Sequence, residues 1–374
     1  MAYFIGVMSG TSMDGVDAIL ADITEQSTAP VAATHIAYPP ALLKTLHQLC
    51  DAGADELNLM GQADRMVAMT FADAVNQLLL EQHLSPADIM AIGSHGQTIR
   101  HYPDGPPSAP DGPGFTLQIG DPHTIAALTG IDVVADFRRK DIAFSGQGAP
   151  LVPAFHAAQF ASEGRHRAIV NIGGFANITV LHGTDRNLIR GFDTGPGNVL
   201  MDAWCLKHRN QPFDESGNWA GQGETNKPLL DALLADPYFS QTGPKSTGRE
   251  YFNLKWLNAH LAALPPIKPV DVQATILALT ATTIADAIKN LASIQECYVC
   301  GGGAYNQTLM NHLADQLPDV KVAATSSLKL TPQWVEGVAF AWLAWAYLHQ
   351  VPGNVPSVTG AERAVVLGSF IPAG

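Results

Sequence analysis

Cysteine is nearly absent: four residues in a chain of 374 cannot staple a disulfide framework. Charge is sparse as well. Charged side chains make up 15% of the chain and hydrophobic ones 47%, which excludes a disordered protein and describes a large buried interior. Positive charge is the scarcer sign, with 21 Lys and Arg against 34 Asp and Glu. The formal net charge of −13 argues against nucleic acid or an anionic membrane as a partner. An anionic substrate would have to be held by locally placed Arg, Lys and backbone N–H groups.

Long hydrophobic runs are missing too; the longest, at 337–348, is too short to span a bilayer and reads as a buried helix. No basic segment leading into an apolar core is visible, so a cytoplasmic location is expected. Two familiar phosphate signatures are absent. Without G-x-x-x-x-G-K-[ST] the chain is no P-loop NTPase, and without G-x-G-x-x-G a Rossmann nicotinamide site is not expected. No His, Cys and carboxylate set has metal-ligand spacing, which argues against a metalloenzyme. Cys297 and Cys300 form a C-x-x-C inside an apolar strand, where residues three apart face opposite sides, so neither a redox pair nor a metal clip is expected.

What is present begins with residues 5–20. An apolar strand enters a turn of Ser9, Gly10, Thr11, Ser12, Met13, Asp14 and Gly15, and a second apolar strand follows. Glycines there permit positive φ, and successive N–H groups with the Ser9, Thr11 and Ser12 hydroxyls can form an anion-binding concavity. Asp14 and Asp17 would repel a phosphate unless a metal or its bound water lies between. An ordinary glycine-rich hairpin explains the stretch equally well.

At this length two domains are the natural expectation. Strands and helices then alternate: a helix at 58–82, a strand at 89–92, a Pro- and Gly-dense loop at 102–114, a helix through 128 and a strand at 132–135. A second hairpin at 168–181 repeats the outline of the first, which suggests an internal duplication. The expected architecture is two α/β domains sharing a cleft, with residues 1–135 plus about 350–374 in the first and 136–349 in the second. The switch is placed near the glycine-rich 145–150, and apolar helices at 274–288 and 335–348 are expected to be buried.

Several residues could carry chemistry. Asp193 ends a strand before a Gly-Pro-Gly turn at 195–197 and a helix at 198–208, a rigid place for a general base. Helix capping is the alternative, for which Asn198 is better placed. Gly301, Gly302 and Gly303 lie between a strand and a helix, where a flat ligand or a diphosphate can approach the backbone. The run Asp136-Phe137-Arg138-Arg139-Lys140-Asp141 is either a carboxylate clamp or a solvated turn. His95 could hydrogen-bond a sugar or phosphate, and Glu336, opening an apolar helix, is either a dipole partner or a site residue.

Together these segments resemble the bacterial anhydro-N-acetylmuramic acid kinases over the whole chain. The matching stretches include Gly6 through Asp17, Ser94-His95-Gly96-Gln97-Thr98, Asp136-Phe137-Arg138-Arg139, the segment at 146–153, Asn171-Ile172-Gly173-Gly174, Phe192 through Asn198, the segment at 245–250, and Gly301 to Gly303. The resemblance implies two duplicated actin-like, ribonuclease-H-like domains with a nucleotide cleft between them. It implies ATP and Mg²⁺ as cofactors and a sugar as substrate. The reaction implied converts 1,6-anhydro-N-acetylmuramic acid and water into N-acetylmuramic acid 6-phosphate and ADP during cell-wall sugar recycling. By the same resemblance, Gly10, Thr11, Ser12, Met13, Asp14, Gly15, Val16 and Asp17 form the phosphate turn, and Asp14 and Asp17 hold the metal. Gly173, Gly174, Gly195, Gly197, Asn198 and Gly301 to Gly303 contact nucleotide. Asp193 activates water, while His95, Arg138, Gln147 and Glu336 face the sugar, with Arg138 and Arg139 as partners for the lactyl carboxylate. A homodimer is a further implication. Two rivals keep the fold: a sugar or carboxylate kinase without the ring-opening step, and an actin-like switch ATPase.

Overall fold

The computed structural model describes residues 2–374 except Thr11, Ser12, Asp14, Pro110, Thr242, Gly243, Pro244, Ser246, Glu250 and Ala292. Its strands in chain order are β1 (Tyr3–Met8), β2 (Gly15–Ile23), β3 (Thr28–Ala37), β4 (Ile89–Ser94), β5 (Gln97–Tyr102), β6 (Phe115–Ile119), β7 (Val133–Ala135), β8 (His166–Ile172), β9 (Phe175–His182), β10 (Arg190–Pro196), β11 (Glu296–Cys300), β12 (Lys321–Ala324) and β13 (Ser369–Ile371). The chain divides into two compact units, residues 1–159 with 334–374, and residues 160–333.

In the first unit the sheet order is β13-β7-β4-β1-β2-β3, with β5 and β6 forming a separate hairpin. β1 runs antiparallel to β2 and β2 to β3, while β1 with β4 and β4 with β7 are parallel. In the second unit the order is β10-β9-β8-β11-β12. There β8–β9 and β9–β10 are antiparallel, and β8–β11 and β11–β12 are parallel. Each unit therefore starts with a three-stranded meander and extends its first strand by two parallel neighbours. The duplication inferred from two similar hairpins is present in five strands of each unit, the antiparallel β13 being an addition to the first, and each is a ribonuclease-H-like α/β unit.

Alternation of side chains along β1 builds the first unit's layers. Ile5 and Val7 join the core with Val67, Phe71 and Val75 of the helix Glu56–Gln82. Gly6 faces the other way, toward the helix Val335–Leu348. That helix is apolar on nearly every side because it is buried on the sheet. Among the described residues no helix is long and apolar enough to cross a membrane. In the second unit the helix Pro269–Lys289 covers the sheet, with Ile276, Leu277 and Ile284 packed in a core that includes Val170, Ile178 and Val299. It starts earlier than the apolar pattern at 274–288 suggested, because Pro269 occupies its first turn, where a missing N–H costs nothing.

The units part after residues 159 and 333, not at 135 and 349. The glycine-rich stretch at 145–150 is no linker but a tight loop fastened inside the first unit. Buried Asp141 accepts from the Gly148 amide at 2.8 Å, from Asn354 Nδ2 at 2.7 Å and from Thr359 Oγ1 at 2.9 Å. The helix Val335–Leu348 likewise belongs wholly to the first unit through its contact with β1 and β4.

Candidate active site

In the second unit, β10 carries Asp193 to a point where its pairing with β9 slips between Asp193 and Gly195. Such a bulge bends the strand and re-aims its side chains. The Asp193 carboxyl is largely shielded from water, and its Oδ2 accepts the Thr247 N–H at 3.1 Å. Burial pushes its pKa up to about 6, against the pull of the Thr247 amide and the Lys245 ammonium. A carboxylate of that proton affinity is a competent base near neutrality.

The predicted nucleotide residues of this unit converge around the β8–β9 turn. Asn198 N–H donates to the Gly173 carbonyl at 2.8 Å, and Gly197 N–H donates to that of Gly174 at 2.9 Å. Asn198 does not cap the helix Val199–Arg209 as expected, since its Nδ2 turns back to the Ile172 carbonyl at 3.2 Å. Gly301 stands against the same turn with φ +77°, and a Cβ there would lie 2.4 Å from Asn171 Oδ1. Gly303 packs on Ile172, and Gly302 lies beside Asn198. Gly195 pairs with Ala176 at the start of β9, and a Cβ on it would meet the Phe239 ring. A single 3₁₀ turn, Gly302–Tyr305, holds the last two glycines of the triplet and leads into the helix Gln307–Gln316. Cys297 and Cys300 are both buried, and burial pushes the Cys297 thiol up to about 12, as suits inert core residues.

In the first unit, Thr11, Ser12 and Asp14 of the predicted phosphate turn lie outside the described residues. Around them the turn is braced from within. Buried Ser9 Oγ lies 2.7 Å from the Gly15 carbonyl and 2.6 Å from Gln97 Oε1, so this hydroxyl is used inside the turn and does not face outward as expected. Gln97 Nε2 reaches the Gly10 carbonyl at 3.3 Å, and Met13, at φ 56°, is buried. Val16 is also buried, leaving only its backbone for a ligand. Asp17 is exposed and bonds His35 Nδ1 at 2.8 Å. Among the described residues no group of three or more His, Cys, Asp or Glu could hold a metal ion. One exposed carboxylate is nonetheless compatible with Mg²⁺, which keeps its waters and binds mainly through substrate phosphates.

His95, Arg138 and Glu336 come together. The Arg138 guanidinium donates to His95 Nε2 through Nε at 3.2 Å and Nη2 at 2.8 Å, and to the Gly148 carbonyl through Nη1 at 2.8 Å. Burial, then the Arg138 charge, hold the His95 pKa at about 3, so its ring is the neutral acceptor. Burial lowers Arg138 itself to about 10, with Glu336 and Asp141 pulling the other way. Arg139 does not share this environment. Its exposed side chain pairs with Asp136 at 2.7 Å, so the basic run splits into one inward and one solvated arginine. Gln147 also turns aside, donating to Asp104 Oδ1 at 2.8 Å on the rim of a pocket of about 570 Å³ lined by Thr116, Arg139 and Ser145.

Sequence reasoning gave no role to Gln97, Asp141, Tyr238 or Lys245. Gln97 and Lys245 lie in quoted motifs, but their partners are 87 residues away for Gln97 and Gly10, and 7 for Lys245 and Tyr238, with no periodicity linking them. Asp202, on the helix Val199–Arg209, was missed as well. Burial and the nearby Asp214 raise its pKa to about 7 against the pull of Arg249.

A family model described as anhydro-N-acetylmuramic acid kinase matches residues 2–373. Proteins of that name are similar along nearly their full lengths. One from Shewanella sp. (strain ANA-3) is 54% identical over 367 residues, 98% of each chain. One from Shewanella pealeana is 52% identical over 371 residues, 99% of each. One from Shewanella frigidimarina is 53% identical over 366 residues, 98% of this chain and 97% of the relative. The chain belongs to the anhydro-N-acetylmuramic acid kinase family.

Proposed function

We propose that this chain uses ATP and Mg²⁺ to convert 1,6-anhydro-N-acetylmuramic acid and water into N-acetylmuramic acid 6-phosphate and ADP, in cytoplasmic recycling of cell-wall sugar. Family membership over residues 2–373 supports the substrate. The observation that carries the chemistry is Asp193, a shielded carboxyl whose affinity for a proton is matched to abstraction near neutral pH.

In this reading Asp193 takes a proton from water as the water oxygen attacks the anomeric carbon. The bond from that carbon to the bridging oxygen breaks, and the oxygen, now free on carbon six, attacks the γ-phosphorus as its bond to the β–γ bridging oxygen breaks and ADP leaves. The N–H groups of Gly10 to Asp17 stabilise the phosphates, with Gly173, Gly174, Gly195, Gly197, Asn198 and Gly301 to Gly303 holding nucleotide. Asp14 and Asp17 would hold Mg²⁺, directly or through its waters, and the ion would supply positive charge beside the phosphoryl oxygens. Arg138 has N–H donors beyond those given to His95 and Gly148, which suits it to the lactyl carboxylate. His95 and Glu336 complete the sugar contacts.

The test is ADP release with 1,6-anhydro-N-acetylmuramic acid beside a panel of ordinary sugars, run in ¹⁸O-water. The expected result is release with the anhydro sugar alone and the label on the anomeric oxygen. Comparable release with ordinary sugars, or an unlabelled product, would overturn the proposal.

A further inference from the structure

Lys245, Thr247 and Tyr238 surround the base from three directions. Asp193 N–H donates to the Lys245 carbonyl at 2.9 Å. The Asp193 carbonyl accepts the Tyr238 hydroxyl at 3.0 Å, and Oδ2 accepts the Thr247 amide at 3.1 Å. Lys245 closes the ring: its Nζ donates to the Tyr238 carbonyl at 3.0 Å and lies 4.4 Å from the centroid of that ring. Tyr238 is itself fixed, since Asp236 accepts its amide at 2.9 Å, the Tyr251 hydroxyl at 2.7 Å and Trp256 Nε1 at 2.9 Å.

We infer that Lys245 is a positioning residue for the base, seated on Tyr238 so that a fixed ammonium faces the Asp193 carboxyl while the neighbouring backbone holds the strand from which it projects. This deepens the reading of Asp193 as the base and rests on it. Among the described residues the titratable groups acting on Asp193 are Lys245 and Tyr238. Burial of Asp193 opposes its ionisation and the Lys245 charge favours it, so the two set the proton affinity jointly. An ammonium bonded directly to the carboxylate would depress that affinity too far for a base. Anchored on the Tyr238 carbonyl and ring, Lys245 acts through space instead. Burial of Tyr238 and the Asp193 charge push the phenol above its usual range, so it stays protonated and donating.

The experiment is the pH profile of kcat/KM for ADP release with 1,6-anhydro-N-acetylmuramic acid, for the parent, Lys245→Met, Lys245→Arg and Asp193→Asn. Losing the ammonium moves the acid limb of Lys245→Met to higher pH by about half a unit or more. At pH 6 that variant loses at least about threefold relative to its own plateau. Lys245→Arg restores the parent limb. An acid limb of Lys245→Met that coincides with the parent's overturns the inference while leaving the base assignment standing. An Asp193→Asn variant that keeps parental turnover overturns the base assignment instead. Tyr238→Phe is a second probe, read as lower kcat at unchanged ADP affinity. If Lys245→Met does not fold, Lys245→Gln takes its place in the same profile, and an acid limb that coincides with the parent's overturns the inference.

Discussion

The carbonyl of Gly337 presses on the α-carbon of Gly6 so closely that a Cβ on Gly6 would stand 1.8 Å from its oxygen. The contact seats the first turn of the helix Val335–Leu348 on β1, and Glu336 belongs to that turn. It thereby fixes the distance at which Glu336 acts on Arg138. The backbone packing of two glycines thus determines where a charged side chain of the candidate site stands.

Gly6→Ala is the direct perturbation. The clash is with backbone, which cannot rotate away, so the helix must lift from the sheet. We expect a loss of at least about 2 kcal/mol of stability, at the upper part of the range for overpacked cores. The urea midpoint of the variant measures it. A loss under about 0.5 kcal/mol, the range of neutral surface changes, would contradict the packing.

Asp193→Asn should leave ADP affinity nearly unchanged and lower turnover by at least about a thousandfold. In the parent, kcat/KM should fall toward acid below about pH 6, where the carboxyl takes up its proton. Stability carries the same signature with a definite sign. The folded carboxyl keeps its proton to about pH 6, whereas an unfolded Asp loses it near its ordinary value of about 3.9. The folded state therefore binds more protons in that window, and the contribution of Asp193 to stability is lost as pH rises through it. Denaturant midpoints of parent and variant, compared from about pH 4 to about pH 7, should converge or cross in favour of Asn as pH rises.

The fold was legible where local pattern and topology agree. Two hairpins of like outline announced two like sheets, and the apolar strand expected to hold Cys297 and Cys300 is β11. Unit boundaries were not legible. Glycine at 145–150 reads locally as a linker, but the buried hydrogen bonds of Asp141 to Asn354 and Thr359 reach across more than 200 residues. Arg138 and Arg139 are adjacent and chemically identical, and the partners packed around them, His95 and the Gly148 carbonyl for Arg138 and Asp136 for Arg139, decide which one turns inward. Phe192 through Asn198 and the segment at 245–250 were recognisable as motifs, but Lys245 acquired a role only once Tyr238 was placed beneath it.

His95 should remain neutral throughout the range in which ordinary histidines titrate. Burial and Arg138 hold its pKa at about 3, and Arg138 supplies two N–H donors to Nε2. Imidazole nitrogen NMR should show one unprotonated nitrogen for His95 down to about pH 5, well below the usual midpoint of about 6.5. Arg138→Leu removes both donors and a repelling charge, so the His95 midpoint should move upward. A parent His95 that titrates near pH 6.5 would show that the imidazole is not held this way.

Gly301 tests the nucleotide assignment. Its φ of 77° and ψ of −177° belong to a region occupied essentially by glycine, and its Cβ position is blocked by Asn171 Oδ1 at 2.4 Å. Gly301→Ala must therefore either bear strain of about 1–3 kcal/mol or turn the backbone away from the β8–β9 turn. Either response moves the N–H groups of the triplet, and ADP affinity should fall by about tenfold or more. The double variant Asn171→Ala, Gly301→Ala separates the side-chain clash from the backbone, because it removes the Asn171 contact and leaves the φ and the Ile172 carbonyl, which a Cβ would meet at 2.7 Å. Recovery of affinity in the double variant would assign the loss to the clash, and persistence to the backbone. ADP affinity that is parental in Gly301→Ala would remove the triplet from the nucleotide site, since no arrangement that uses its backbone tolerates both changes.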